Sequence, residues 1–312
     1  CSMVSQSATT SNEPSSRGIY SVAAGLFFLV YREQTIAAQS EERTNNRSYS
    51  AAVLAGLSVF AGCLAWLVSK HASIASVIHF WLPGAALCAV VGINELKFFR
   101  QPRAGRLKRM LGIAVPYLGG ALLPVALFLI PYAMSSSLEA WWQGVFVRPQ
   151  TRFQKARGEL PPVFKQLLVL PLVLLLAGGR FWKSRRTEKI ILVPGLILLG
   201  LLIWHGGNEE IYRGIWNSVR PIVPAVTLIA CPFFLGRGSV QKQTLFLLVS
   251  MAVMVSLVQF PPSLGVYFCY AAPLAILAVA YLVSCRAAAP KQLLFGAVCF
   301  YFLFSVLWVN RS

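Results

Sequence analysis

Long apolar runs divide this sequence at about 19–38, 51–69, 73–92, 111–133, 163–178, 190–204, 219–235, 244–260, 264–284 and 292–309. A hydrocarbon layer of roughly 30 Å takes about 20 helical residues to cross, and every backbone polar group inside it must be satisfied within the chain. The runs therefore predict an all-α, polytopic integral membrane protein with about ten transmembrane helices. The first run is the weakest of them, because Arg32 and Glu33 interrupt IYSVAAGLFFLVYREQT. The runs at 163–178 and 190–204 are short for a full crossing. Charged residues make up 12% of the chain, roughly half the share in a soluble domain, which excludes a large water-facing surface.

The expected organisation is a polar N-terminal segment, 1–18, followed by a helical membrane domain, 19–309. That domain carries an external amphipathic segment at 135–162 and an external loop at 204–221. Because the first residue is Cys rather than Met, the sequence reads as a truncation of a longer membrane protein or as a processed product. A lipid-modified Cys1 followed by a Ser/Thr-rich stretch is the lipoprotein form of the second reading.

A formal charge of +18 would ordinarily point to nucleic acid, but here the basic residues lie in short loops between apolar runs. If odd-numbered runs pass from outside to inside, 18 of the 28 basic residues face the cytoplasm, among them Arg32, Arg43, Arg47, Lys97, Arg106, Lys108 and Arg109. The positive-inside rule then fixes the orientation.

No Asp occurs anywhere, and the acids are ten Glu. Five of the seven cysteines, Cys63, Cys88, Cys231, Cys269 and Cys299, fall inside apolar runs and none forms a CxxC pair, so they read as small core residues. Phosphate-loop, GxSxG and dinucleotide fingerprints are missing, which leaves ATP-driven transport and soluble-type hydrolysis unsupported.

Two external stretches hold the groups that chemistry would need. In the segment 135–162, Ser135 to Ser137 are placed to cap a surface helix, Trp141 and Trp142 suit the headgroup level, and Arg148, Arg152, Lys155 and Arg157 form a patch that fits a phosphate. A plain interfacial anchor meeting anionic lipid is the equal alternative. In the loop 204–221, His205, Glu209, Glu210 and Arg213 stand beside Tyr212 and Trp216, a mixture that suits sugar hydroxyls and ring faces, or simply a solvated turn. One His beside two Glu lacks the ligand spacing of a metal centre, so no cofactor is identified and a divalent metal has no support. His71 and His79 read as packed side chains, and Tyr267 and Tyr270 as an aromatic belt or a cavity wall.

Three segments carry a family resemblance: AAGLFFLVYREQT at 23–35, PYLGGALLPVALFLIPYAMSSSLEAWWQGVFVRPQTR at 116–152, and VQFPPSLGVYFCYAAPLAILA at 258–278. Together they resemble bacterial polytopic glycosyltransferases of the GT-C class, related to protein O-mannosyltransferases and to the aminoarabinose transferase of lipid A. The resemblance implies a hexosyl- or pentosyltransferase of the bacterial cytoplasmic membrane. It implies transfer of a sugar from a polyprenyl-phosphate donor to an acceptor on the external face, with an acidic residue as base. In the family that base lies upstream of the helix that AAGLFFLVYREQT resembles, so no catalytic residue is assigned and the chain alone is expected to be inactive. Arg148 and Arg152 match the external amphipathic loop and are assigned to the carrier phosphate, with Tyr267 nearby. His205, Glu209, Glu210 and Arg213 are the candidate contacts to acceptor or sugar.

The alternative from another class is a non-enzymatic transporter or flippase for a lipid-linked or amphiphilic substrate, which the many helix prolines and the external basic patch would equally serve. Neither reading involves nucleic acid.

Overall fold

A computed structural model describes residues 14–37, 47–69, 73–100, 106–144, 220–235, 239–260 and 265–285, with isolated positions between 193 and 210 and at 299. Among the described residues every regular element is helical. They are α1 (Pro14–Ala37), α2 (Arg47–Ser69), α3 (Ile74–Ser76), α4 (Leu82–Arg100), α5 (Arg106–Met134), α6 (Leu138–Trp142), α7 (Ile222–Phe234), α8 (Val240–Ser256) and α9 (Gly265–Ser284). A π-helical turn, Val77–Trp81, joins α3 to α4, and a 3-10 turn, Leu257–Gln259, extends α8.

Four of these stretches are long and apolar enough to cross a membrane: Arg47–Ser69, Ile74–Lys97, Arg106–Met134 and Val240–Gln259. The chain is an integral membrane protein on that account. Helices also stand in the expected runs at 19–38, 219–235 and 264–284, whereas the runs at 163–178 and 292–309 and most of 190–204 lie outside the described residues.

α1 departs most from expectation. Arg32 and Glu33 do not break it: the helix continues through them to Ala37, because both side chains act at its end, where partners from other helices receive them. It is also the organising helix, packing on α8, α5, α4 and the turn after α8. Tyr31 stacks on Phe246 of α8 with ring centroids 4.1 Å apart, and Phe234 of α7 meets both rings edge-on. Such pairs each contribute about 0.5–1.5 kcal/mol beyond the area they bury.

Close approach of α1 and α5 depends on Gly25. A Cβ there would fall onto the Tyr117 ring, and the Tyr117 hydroxyl donates to the Ser21 carbonyl at 3.0 Å. α5 carries Pro116, Pro124 and Pro131 without interruption, and its outer side presents Val115, Leu122, Leu123, Leu127 and Phe128. An apolar face of that extent on a membrane-length helix is compatible with lipid rather than water.

Local capping explains where helices start. Ser73 accepts from the Ser76 amide and Ser239 from the Lys242 amide. The capping expected of Ser135 to Ser137 is not what the structure has. Ser137 precedes α6 but makes no side-chain cap bond, and Ser135 Oγ instead donates back to the Pro131 carbonyl at 2.8 Å. The last carbonyls of α5 need donors, and these hydroxyls supply them.

Candidate functional site

The C-terminal ends of α1, α4 and α7 and the N-terminal ends of α2, α5 and α8 gather at one end of the bundle. Alternating helix direction brings this about, and the residues there include Arg32, Arg47, Lys97, Lys108, Arg109 and Lys242, so this is the cytoplasmic end by the positive-inside rule. At its centre is Arg106, 1% exposed.

Arg106 is held on all its nitrogens. Nη1 and Nη2 donate to Glu95 Oε1 and Oε2 at 2.6 and 2.8 Å, the parallel two-bond fork that matches a guanidinium to a carboxylate. Nε donates to Glu33 Oε2 at 2.7 Å, and Nη1 also reaches Ser50 Oγ at 3.2 Å. The Tyr49 ring lies 4.6 Å from the guanidinium carbon, within cation–π range. Glu95 is fully buried and Glu33 is 5% exposed, so four helices contribute to one enclosed charge cluster.

Neighbouring polar groups tie this cluster to the rest of the fold. Gln34 donates to Glu95 Oε2 at 2.8 Å and to the Val91 carbonyl at 3.0 Å. Thr35 accepts from Gln243 of α8 at 2.6 Å and donates to the Arg32 carbonyl. The Phe234 carbonyl, left over at the end of α7, is taken by Asn94 at 3.0 Å and by Tyr31 at 3.3 Å. Thus Arg32-Glu33-Gln34-Thr35, the polar end of the first apolar run, links α1 to α4, α5 and α8.

Chemically this arrangement is a brace. Both Glu95 oxygens and Glu33 Oε2 are occupied, so neither carboxylate is set up to take a proton from a substrate hydroxyl. Glu33 Oε1 makes no hydrogen bond and stands 3.6 Å from Arg109 Nη2.

Beside the brace, between α1 and α5, is a cleft of about 320 Å³. Arg32, Glu33 and Arg109 give it a polar end, and Leu29, Ile36, Met110 and Ile113 give it apolar walls. Gly112 also lines it, and a Cβ at that position would meet nothing within 4 Å.

Of the residues singled out in the sequence, Arg148, Arg152, His205, Glu209 and Arg213 lie outside the described residues. Tyr267 lies in the first turn of α9. Glu210 is exposed, and its amide donates to Asn208 Oδ1 at 2.9 Å. His79 is buried in the π-helical turn, as a packed side chain should be. Among the described residues no group of three or more His, Cys or Glu is placed to hold a metal ion.

The sequence reading missed the brace because it treated Arg106 as one more loop cation and Glu33 as a flaw in a helix. A usable signal was there: an acid within an apolar run must find a partner, since an unpaired charge at that depth is costly. No family model, curated protein or solved structure matches the chain.

Proposed function

We propose that this chain is the helical membrane portion of a GT-C-type glycosyltransferase, embedded through about ten helices in a bacterial cytoplasmic membrane. In this reading it uses a polyprenyl-phosphate sugar as donor and serves transfer on the external face. The observation that carries the reading is the mutual packing of the segments that bear the resemblance. Segment 23–35 lies in α1 and segment 116–152 begins in α5, and the two helices meet at Gly25 and Tyr117. Segment 258–278 runs from the end of α8 into α9, and α8 is the principal neighbour of both α1 and α9.

The distribution of charge favours this over ion-coupled transport. Transporters place ionisable groups near the bilayer midplane, at discontinuous helices. Here every Glu, Lys and Arg whose side chain is described within the four membrane-length stretches lies near a stretch end, as Glu95, Lys97, Arg106, Lys108, Arg109 and Lys242 do. A bundle braced at its cytoplasmic end leaves the opposite end to bind a donor.

Within this proposal Arg148 and Arg152 receive the carrier phosphate, and the 204–221 loop, with His205, Glu209, Glu210 and Arg213, meets sugar or acceptor. The test is binding of polyprenyl monophosphate and of the uncharged polyprenol by the purified chain in nanodiscs. Preferential retention of the phosphate, lost in Arg148→Glu with Arg152→Glu while the protein stays folded, is the expected result. Equal retention of phosphate and alcohol would overturn the reading.

A further inference from the structure

The cleft between α1 and α5 takes no part in the proposed transfer, since it opens beside the brace at the cytoplasmic end rather than at the external patch. Its composition is that of an amphiphile in cross-section. Arg32 and Arg109 supply guanidinium groups at one side, and Leu29, Ile36, Met110 and Ile113 supply hydrocarbon contact. Ile36 and Arg109 are partly exposed, so the cleft is reachable from the surface.

Charge bookkeeping states what is missing. Glu33 and Glu95 bring two negative charges to this corner, and Arg32, Arg106 and Arg109 bring three positive ones. Arg106 is consumed by the two carboxylates, so the balance of one positive charge falls at the cleft. One phosphodiester would neutralise it. The cleft sits at the level of the helix ends that carry the cytoplasmic basic residues, where the headgroups of the inner leaflet lie, and basic pockets between helices on that side are suited to lipid phosphates.

We infer that the α1–α5 cleft is a binding site for one anionic phospholipid of the cytoplasmic leaflet, with its phosphodiester between Arg32 and Arg109. Its acyl chain follows the wall formed by Leu29, Met110 and Ile113. Gly112 leaves the space that the lipid fills: a side chain there meets no protein atom, so the glycine is not required by packing within the fold. Glu33 does not oppose the phosphate strongly, because Arg106 already neutralises it at 2.7 Å. The bound lipid adds a partner for Arg109, whose contact to Glu33 is a long 3.6 Å.

Lipid retention by the full chain tests this, measured by native mass spectrometry after exchange into mixed micelles of phosphatidylglycerol and phosphatidylcholine. Wild-type protein is expected to keep one phosphatidylglycerol in preference to phosphatidylcholine. Arg32→Gln, which leaves the brace untouched, is expected to reduce that retention roughly fivefold, the effect of one cation near the membrane surface. Gly112→Leu fills the cleft without altering charge, and is expected to abolish the preference while leaving the melting temperature at or above the wild-type value. Equal retention of the two lipids, or an unchanged preference in both variants, would overturn the assignment. Displacement of phosphatidylglycerol by millimolar inorganic phosphate would also overturn it, by showing a site for the free anion instead of the lipid.

Discussion

Arg106 and Glu95 face each other through two parallel hydrogen bonds, 2.6 and 2.8 Å long, with both side chains out of solvent. They stand only eleven positions apart in the sequence, at the end of one helix and the start of the next. Glu33, which completes the cluster, comes from 73 positions upstream.

Breaking this arrangement from one side should be worse than removing it. Arg106→Ala leaves two buried carboxylates without their cation, a loss of about 3–5 kcal/mol for such a pair. Glu95→Gln keeps shape and hydrogen bonding and should cost less. A Glu33→Gln, Glu95→Gln, Arg106→Met triple variant should be more stable than Arg106→Ala alone. Thermal unfolding of the purified variants in one detergent checks the order, and a triple variant less stable than Arg106→Ala would show that the charges stabilise the bundle outright.

Gly25→Ala is expected to separate α1 from α5, because the added methyl overlaps Tyr117. Overpacking of this kind costs about 1–3 kcal/mol. Tyr117→Ala in the same chain should restore most of the loss, since it removes the obstructing ring while giving up one hydrogen bond to the Ser21 carbonyl. Melting temperatures of the single and double variants decide it: additive losses would mean that the two positions do not meet.

The carbonyl of Phe234 provides a milder test of the same end of the bundle. It accepts from Asn94 and Tyr31 where α7 has run out of its own amides. Asn94→Leu leaves one of these donors and places an apolar group against the carbonyl, so a destabilisation of about 1–3 kcal/mol is expected. Tyr31→Phe should cost less, as it removes the longer bond and keeps the stack on Phe246. Equal melting temperatures for Asn94→Leu and wild type would remove this carbonyl from the account of how α7 is held.

How much of this was legible in the sequence depends on whether the cause is local. Helices such as Arg106–Met134 follow from apolar length alone, and the sidedness of the basic residues follows from counting them. The brace did not follow, because Glu33 finds Arg106 only after α1 and α5 pack together, and a local pattern registers the acid merely as a break. The π-helical turn at Val77–Trp81 likewise arises in packing, where Phe80 meets Phe260 edge-on at 5.3 Å. The serines at 135–137 misled for a related reason: the proposed cap and the carbonyls at the end of α5 compete for the same hydroxyls, and the carbonyls prevail.

Orientation remains the premise on which both the donor patch and the lipid cleft rest, and it can be measured directly. α5 is 29 residues long, about 43 Å at 1.5 Å per residue, enough to carry its two ends to opposite membrane faces. Lys108 in its first turn and Glu139 just beyond its end are both exposed. In a background with all seven native cysteines replaced, Lys108→Cys and Glu139→Cys should respond oppositely to a membrane-impermeant maleimide applied to intact cells. Glu139→Cys should react at once, and Lys108→Cys only after the membrane is opened. Labelling of Lys108→Cys in intact cells would invert the bundle, turn the brace and the cleft toward the outside, and withdraw the inner-leaflet lipid from the cleft.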